Sequence, residues 1–199
     1  MRAVEIVGIG FSLKNYFHSG TETWTCNMGH FLHEKLNNHT KTFIMDDFDL
    51  FEEKMKGFYE HIIKNGNKEN ISVYTSRVDP RWGWAKLYPL HTVISYVNAD
   101  WFNNTLAYMI AYAIASHKML NTEPVDELHL HGVDYKTEDE SRRQERECTS
   151  FWLGMAHAHG IKIKVNPASF LLEKNYELIH GIAQPLYGYR YNPPRRKLI

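Results

Sequence analysis

The stretch that most constrains what this chain can fold into is Val125–Lys136, VDELHLHGVDYK, set between two helix-like segments. It reads as a buried strand that ends at Gly132 and places Asp134 and Tyr135 on the loop beyond its carboxyl end. The run Trp101–Lys118 before it has helical character, and the charged segment Glu138–Glu147 after it opens another helix. A strand flanked by helices on both sides is joined to its neighbours by crossovers, which is the grammar of a parallel sheet. In such sheets ligands sit outside the carboxyl ends of the strands, so Asp134 and Tyr135 are the first residues to consider for chemistry.

The same alternation runs through the rest of the chain. Ala3–Val7 is a short β-branched run that stops at Gly8-Ile9-Gly10 and is followed by Phe11-Ser12-Leu13-Lys14. A strand, a glycine turn and a polar residue able to cap a helix can cradle a phosphate, and a tight turn with no ligand has the same pattern. Thr21–Cys26 alternates and ends at Asn27, Gly29–Leu36 suits a short helix, and Thr42–Met45 reads as a third strand ending in Asp46-Asp47. From Phe48 to Lys64 the apolar positions Leu50, Phe51, Met55, Phe58, Tyr59 and Ile62 recur at three- and four-residue steps, predicting an amphipathic helix stopped by Asn65-Gly66-Asn67. Ile71–Tyr74 is a fourth strand. Asp79–Pro89 reads as irregular and rich in tryptophan and cations, suited to a ligand lid or to a hydrophobic plug over a sheet edge. His91–Val97 reads as a further short strand.

Asn103–Lys118 predicts a largely buried helix with Leu106, Met109, Ile110, Ala113, Ile114 and His117 in one stripe. Asn103, Asn104 and Thr105 stand at its start, where they can cap free N–H groups or bind an anion. Cys148, Phe151, Trp152 and Met155 mark the next helix, which closes at His159-Gly160. Ile161–Val165 is the last strand, ending in Asn166-Pro167-Ala168-Ser169, and Phe170–Ile182 suits a terminal helix.

Strands alternating with helices over 199 residues predict an α/β fold: a single Rossmann-like domain over residues 1–186, with a mainly parallel twisted sheet and helices on both faces. A basic tail rich in proline and tyrosine follows over 187–199 and is a candidate surface for a protein partner or a second copy of the chain. Lysine plus arginine and aspartate plus glutamate balance at 23 each, which gives no support to bulk polyanion binding. No apolar run approaches the ~20 residues needed to span a bilayer. The N-terminal MRAVEIVGIG reads as a first strand, not a secretory leader. Cys26 and Cys148 lie far apart, form no metal-type spacing and suit buried free thiols in a reducing cytoplasm.

Several blocks together resemble the single-domain Rossmann-like glycosyltransferases typified by bacterial sialyltransferases and motility-accessory-factor glycosyltransferases. They are the opening Val7-Gly8-Ile9-Gly10-Phe11-Ser12-Leu13-Lys14, the strand end Cys26-Asn27 and the helix start Asn104-Thr105-Leu106-Ala107-Tyr108-Met109-Ile110-Ala111. The strand end Gly132-Val133-Asp134-Tyr135 and the late Pro167-Ala168-Ser169-Phe170-Leu171-Leu172 complete the set, in matching order over Ala3–Glu173. The chain departs from that group at three places. Ile9 stands where the group carries a nucleotide-contacting asparagine, Lys136 stands where the sialyltransferases carry a phosphate-binding tyrosine, and Glu138–Glu147 holds no histidine in place of their catalytic one.

The resemblance implies a metal-independent transfer from a nucleotide-sugar co-substrate, with no other cofactor. Such a transfer needs a base for the acceptor hydroxyl and cations or hydroxyls for the departing phosphate. The candidate bases are Asp134 and Glu138, the latter with Asp139 and Glu140 beside it, and the candidate cations are Lys136, Arg142 and Arg143. Asn27, Thr105 and Ser169 are placed to hold donor hydroxyls or base edges. Gly8 and Gly10 permit close backbone approach, and Ser12, Asn104 and Tyr135 stand at the neighbouring helix start and strand end.

Each position also has a plainer reading. EDESRRQERE suits a solvated helix face with pairs such as Glu138–Arg142, Asp134 can cap the helix after it, and Asn27 and Ser169 can satisfy loop backbone. His129 and His131 share one strand face near Asp134, but no spaced third histidine accompanies them, so satisfied cleft histidines are favoured over a metal site. The rival functions are a non-catalytic Rossmann-like structural or interaction protein and an enzyme modifying nucleotides or nucleic acid.

Overall fold

The computed structural model describes residues 1–16, 20–47, 49, 56–68, 70–135, 140–166, 169 and 171. The start of the helix expected over Phe48–Lys64, the candidates Lys136 and Glu138 with Asp139, the terminal helix and the 187–199 tail lie outside the described residues.

The strands are β1 (Ala3–Val7), β2 (Glu22–Cys26), β3 (His39–Ile44), β4 (Ser72–Thr75), β5 (Lys86–Leu87), β6 (Glu127–His131) and β7 (Lys162–Val165). They form one seven-stranded sheet in the order β5-β4-β3-β2-β1-β6-β7, and every neighbouring pair is parallel. The helices are α1 (Lys56–Asn65), α2 (Leu90–Val97), α3 (Thr105–Leu120) and α4 (Glu140–Ala158), with 3₁₀ segments at Phe11–Asn15, Asn27–Lys35 and Pro80–Trp82. The chain is a single α/β Rossmann-like domain. It runs outward from β1 to β5, then returns through α2 and α3 to lay β6 against the other side of β1. The strand order therefore reverses between β1 and β6, which is where such sheets open a crevice.

Strand alternation separates two unlike faces. Val4, Ile6, Trp24, Phe43, Tyr74, Leu128 and Leu130 are buried in one core together with residues of α2, α3 and α4. Within it Trp24 meets Phe43 and Tyr112 with ring centroids 5.8 and 5.6 Å apart, and the Tyr74 and Tyr112 hydroxyls bond at 2.7 Å. Helix α3 is buried on nearly every side, and the alanines at 107, 111, 113 and 115 let it approach the sheet closely. On the other face Ile44 and Val73 pack with Tyr59 and Ile62 of α1 and with Trp82. Much of the rest of that face is polar yet buried: Thr25 Oγ1 lies 3.0 Å from both Thr42 Oγ1 and His39 Nε2, and His30 Nδ1 lies 2.9 Å from Thr42 Oγ1.

Two expectations are corrected. His91–Val97 is helical: Val93 and Val97, four residues apart, are both buried, and Asn98 ends the helix at a φ of 54°. Its β-branched content imitated a strand, but the buried positions repeat with helical spacing. The irregular Asp79–Pro89 contains the edge strand β5, and Trp82, 2% exposed, packs beside Tyr59 of α1, ring centroids 5.6 Å apart. The plug reading describes this segment.

At the amino ends of the strands one carboxylate organises the edge. Glu22 accepts from Arg2 Nε and Nη2 at 3.0 and 2.9 Å, from Lys41 Nζ at 2.6 Å, from Trp24 Nε1 at 2.7 Å and from Thr40 Oγ1 at 2.9 Å. Burial by itself would raise its pKa, but the bonds from Lys41, Trp24 and Arg2 prevail and hold it at about 2. A carboxylate with a depressed folded-state pKa contributes stability that is present above its unfolded value and is lost as pH falls towards the folded one. Acid titration of unfolding should show that loss between 4.5 and about 2 in the wild type and a flatter profile in Glu22→Gln. Parallel profiles would contradict this account of the network.

Candidate functional site

The loops at the strand-order reversal are closed onto each other. The Gly8 N–H donates to the His131 carbonyl at 2.8 Å, and the Gly10 N–H donates to the Gly132 carbonyl at 2.7 Å. The Ser12 N–H donates to Asp134 Oδ2 at 2.5 Å, Ser12 Oγ accepts from the Gly132 N–H at 3.1 Å, and Asn166 Nδ2 donates to the Ser12 carbonyl at 3.3 Å. Gly132 adopts φ +62°, and a Cβ placed there would lie 2.6 Å from the Gly8 carbonyl oxygen. A Cβ on Gly10 would lie 2.6 Å from the Gly132 oxygen and 2.7 Å from Asp134 Oδ2, and one on Gly8 would also collide with the Gly132 carbonyl.

These contacts revise the roles expected of four residues. The close approach that Gly8 and Gly10 permit is taken by Gly132. Asp134 caps the 3₁₀ segment that follows β1, 122 residues upstream, instead of the helix after it. Its carboxylate lies where a helix N-terminus would hold a phosphate. Ser12 is fully buried, and its hydroxyl ties the two loops together.

The helix-start and strand-end candidates are committed to internal bonds as well. Asn104 Oδ1 accepts from the Ala107 N–H at 2.8 Å and caps α3, while Nδ2 donates to the Glu145 carbonyl at 2.7 Å and to Thr149 Oγ1 at 3.1 Å. Thr149 Oγ1 also lies 2.9 Å from the Tyr135 hydroxyl, so a chain of hydrogen bonds joins α3, α4 and the loop after β6. Burial pushes the Tyr135 phenol well above its ordinary pKa, and Thr105 is buried in the first turn of α3. Ser169 Oγ donates to the Val133 carbonyl at 2.6 Å and accepts from the Leu171 N–H at 3.1 Å. Arg142 and Arg143 lie exposed on α4 and pair with Glu145 at 2.8 Å and with Glu147 at 4.0 Å.

Asn27 is different. It holds φ 46° directly after β2, and its Nδ2 donates to Asp46 Oδ2 at 2.6 Å across the end of β3. Burial raises the Asp46 pKa, opposed by the bond from Asn27 and the charge of Arg142, so the start of α4 lies close to the ends of β2 and β3. Asp46, two residues beyond β3, is a candidate that the sequence reading named only as part of a strand end. Among the described residues, Asn27 Oδ1, both ring nitrogens of His131 and Asp134 Oδ1 are buried without a hydrogen-bond partner. All lie at the carboxyl ends of β2 and β6, the strands on either side of β1. Ile9, Phe11 and Met28, 57%, 58% and 44% exposed, follow the ends of β1 and β2, with Lys14 Nζ 3.7 Å from the Phe11 ring centroid.

His129 and His131 behave differently although they share a face. His129 Nε2 lies 2.9 Å from Glu127 Oε2, which also accepts from Lys164 Nζ at 2.6 Å. Among the described residues no group of three or more His, Cys, Asp or Glu is placed to hold a metal ion, and no helix is long and apolar enough to cross a membrane. Cys26 and Cys148 are free thiols, and burial, with help from Asp46, pushes the Cys26 thiol up to about 12. A thiol with that pKa is a poor nucleophile at neutral pH.

No protein-family model, curated protein or solved structure matches the chain.

The closed loops lead to a direct test. Gly132→Ala combines a positive φ with a steric collision and should destabilise the fold by about 1–3 kcal/mol in denaturant unfolding. A neutral result would show that the two loops separate readily. Asn104→Ala should lower stability by about 1 kcal/mol through loss of the cap.

Proposed function

We propose that this chain is a Rossmann-type transferase that takes a nucleotide-activated sugar at the carboxyl ends of β1, β2, β3 and β6. One observation supports the reading above others. Asn27 Oδ1, the His131 ring nitrogens and Asp134 Oδ1 lack partners among the described residues and flank the reversal of strand order. Buried polar atoms without partners are costly, and a ligand's hydroxyls and N–H groups are a natural source of the missing bonds.

In this reading Asn27 and Asp46 take ligand hydroxyls, and Arg142 and Arg143 turn from their exposed pairs to the phosphate. The acceptor hydroxyl oxygen attacks the anomeric carbon, the bond from that carbon to the phosphate oxygen breaks, and the nucleotide leaves with the electron pair. The acceptor proton passes to a carboxylate, Asp134 through its second oxygen or Glu138 beyond it. Lys136 supplies further positive charge, so the scheme needs no metal. Free thiols suit a cytoplasmic setting.

A second reading is favoured by a different observation. Ser12, Asn104, Ser169 and one oxygen of Asp134 are all tied to the protein itself. Those bonds describe a rigid scaffold as well as an enzyme, and they support a non-catalytic interaction module.

Isothermal titration against CMP-, UDP- and GDP-sugars separates the two. The transferase reading expects one nucleotide class to bind and Asn27→Gly, which keeps the backbone conformation while removing the amide, to weaken that binding about ten-fold, near 1.4 kcal/mol. A well-folded protein that binds none of them leaves the scaffold reading in possession.

A further inference from the structure

The sheet face opposite α3 and α4 carries a column of ionisable side chains. Glu5 and Val7 on β1 are in register with His129 and His131 on β6. Glu5 is 1% exposed and accepts from the Tyr16 hydroxyl at 2.6 Å. Tyr16 is the residue in which the 3₁₀ segment Phe11–Asn15 ends, so this bond anchors the turn after β1 to the middle of the sheet. The Tyr16 ring also packs edge-on against the His131 imidazole, with centroids 4.8 Å apart and planes at 67°. His131 therefore lies beneath that turn, with both ring nitrogens buried and without a hydrogen-bond partner among the described residues.

We propose that His131 is a proton-operated release for the turn that follows β1. While neutral, the imidazole is a weakly polar ring that tolerates burial under Tyr16, and Tyr16 holds Glu5. When it takes up a proton, both ring nitrogens become donors and a cation forms beside a buried carboxylate. The imidazolium N–H then competes with the Tyr16 hydroxyl for Glu5. Losing the Tyr16–Glu5 bond removes one anchor of the 3₁₀ segment, leaving Tyr16 its side-chain bond to Thr23, and weakens the support for the Ser12–Asp134 and Gly10–Gly132 contacts. The device uses the same imidazole as the ligand reading but is measured on the protein alone, so it stands or falls separately from nucleotide binding.

The charged and titratable neighbours set the direction. Glu5 on β1 favours protonation, His129 on β6 opposes it, and Tyr16 contributes a hydroxyl that burial and Glu5 keep protonated. Glu127 and Lys164 lie one step farther along and are engaged with His129 and with each other. Burial is the largest influence and holds His131 below the usual 6.5. The unfolded chain thus takes up the proton first as pH falls, so this group weakens the closed form on acidification and leaves it intact above its unfolded value.

Amide hydrogen exchange on the full chain, at about pH 7.5 and about pH 5.5 and corrected for the intrinsic rate, reads this directly. Wild type should lose about ten-fold more protection over Gly8–Tyr16 than over β3 and β4 in acid. His131→Phe should show no such selective loss, and Tyr16→Phe should be loosened at both pH values. Equal responses in wild type and His131→Phe would overturn the proposal. Should His131→Phe fail to fold, the His131 ring resonances of the wild type decide. A midpoint below 6.5 that tracks the exchange change supports the device, and a ring already charged at neutral pH, or one that never titrates before global unfolding, refutes it.

Discussion

The contact on which the rest of this structure depends is the closure of the turn after β1 onto the loop after β6. Two backbone bonds, Gly8 to His131 and Gly10 to Gly132, and one carboxylate bond, Ser12 to Asp134, join segments about 120 residues apart. Adjacent parallel strands are already paired along their length, so their exits would ordinarily diverge at a reversal of strand order. Here glycine on both sides removes the Cβ atoms that would keep them apart.

The closure also explains the uneven use of polar residues. Asp134 Oδ2 accepts from the Ser12 N–H at the start of a short helical segment, a place that favours an anion, so one of its two oxygens is satisfied internally. Asn104 and Ser169 likewise cap and tie loops. Asn27 and His131 lie beside those ties without sharing them, Asn27 directed toward Asp46 and His131 under Tyr16. The polar strand ends thus divide into residues that hold the crevice shut at its base and residues left to face something else.

Much of the fold was legible in the sequence because burial has a period. The strands other than β5 and the helix through Leu106 and Ile110 follow from where apolar residues recur, with element ends shifted by a few residues. The run LHTVISYV was misleading because eight residues rich in β-branched and aromatic side chains fit either period, and packing against α3 chose the helix. β5 was missed because two exposed residues have no period to read. Of the candidate site, which polar residues stand at the strand ends was legible in the sequence, and what each of them bonds to was not. Whether Ser12 or Asn104 faces a ligand or the backbone is decided by partners such as Gly132 and Glu145, 120 and 41 residues away, and no local pattern encodes those distances. Asp46, named only as a strand end, was not counted among the candidates for the same reason, since only the spatial neighbourhood of β2 and β3 brings it to Asn27.

Among the described residues the sheet ends at β5 on one side and at β7 on the other, which bears on how this protein behaves in a crowded solution. An uncovered strand edge is a template for another chain's strand. On one rim β5 is only two residues long and exposed, so it offers very few unpaired backbone groups. On the other, β7 carries Lys162 and Lys164 at alternate positions, both largely exposed and both sharing Glu127 of β6, which keeps an excess of positive charge along that edge. Seven parallel strands form slowly, from contacts distant in sequence, and are vulnerable while incomplete. Among the described residues, a two-residue edge at one end and a lysine-bearing one at the other leave little for another chain's strand to pair with.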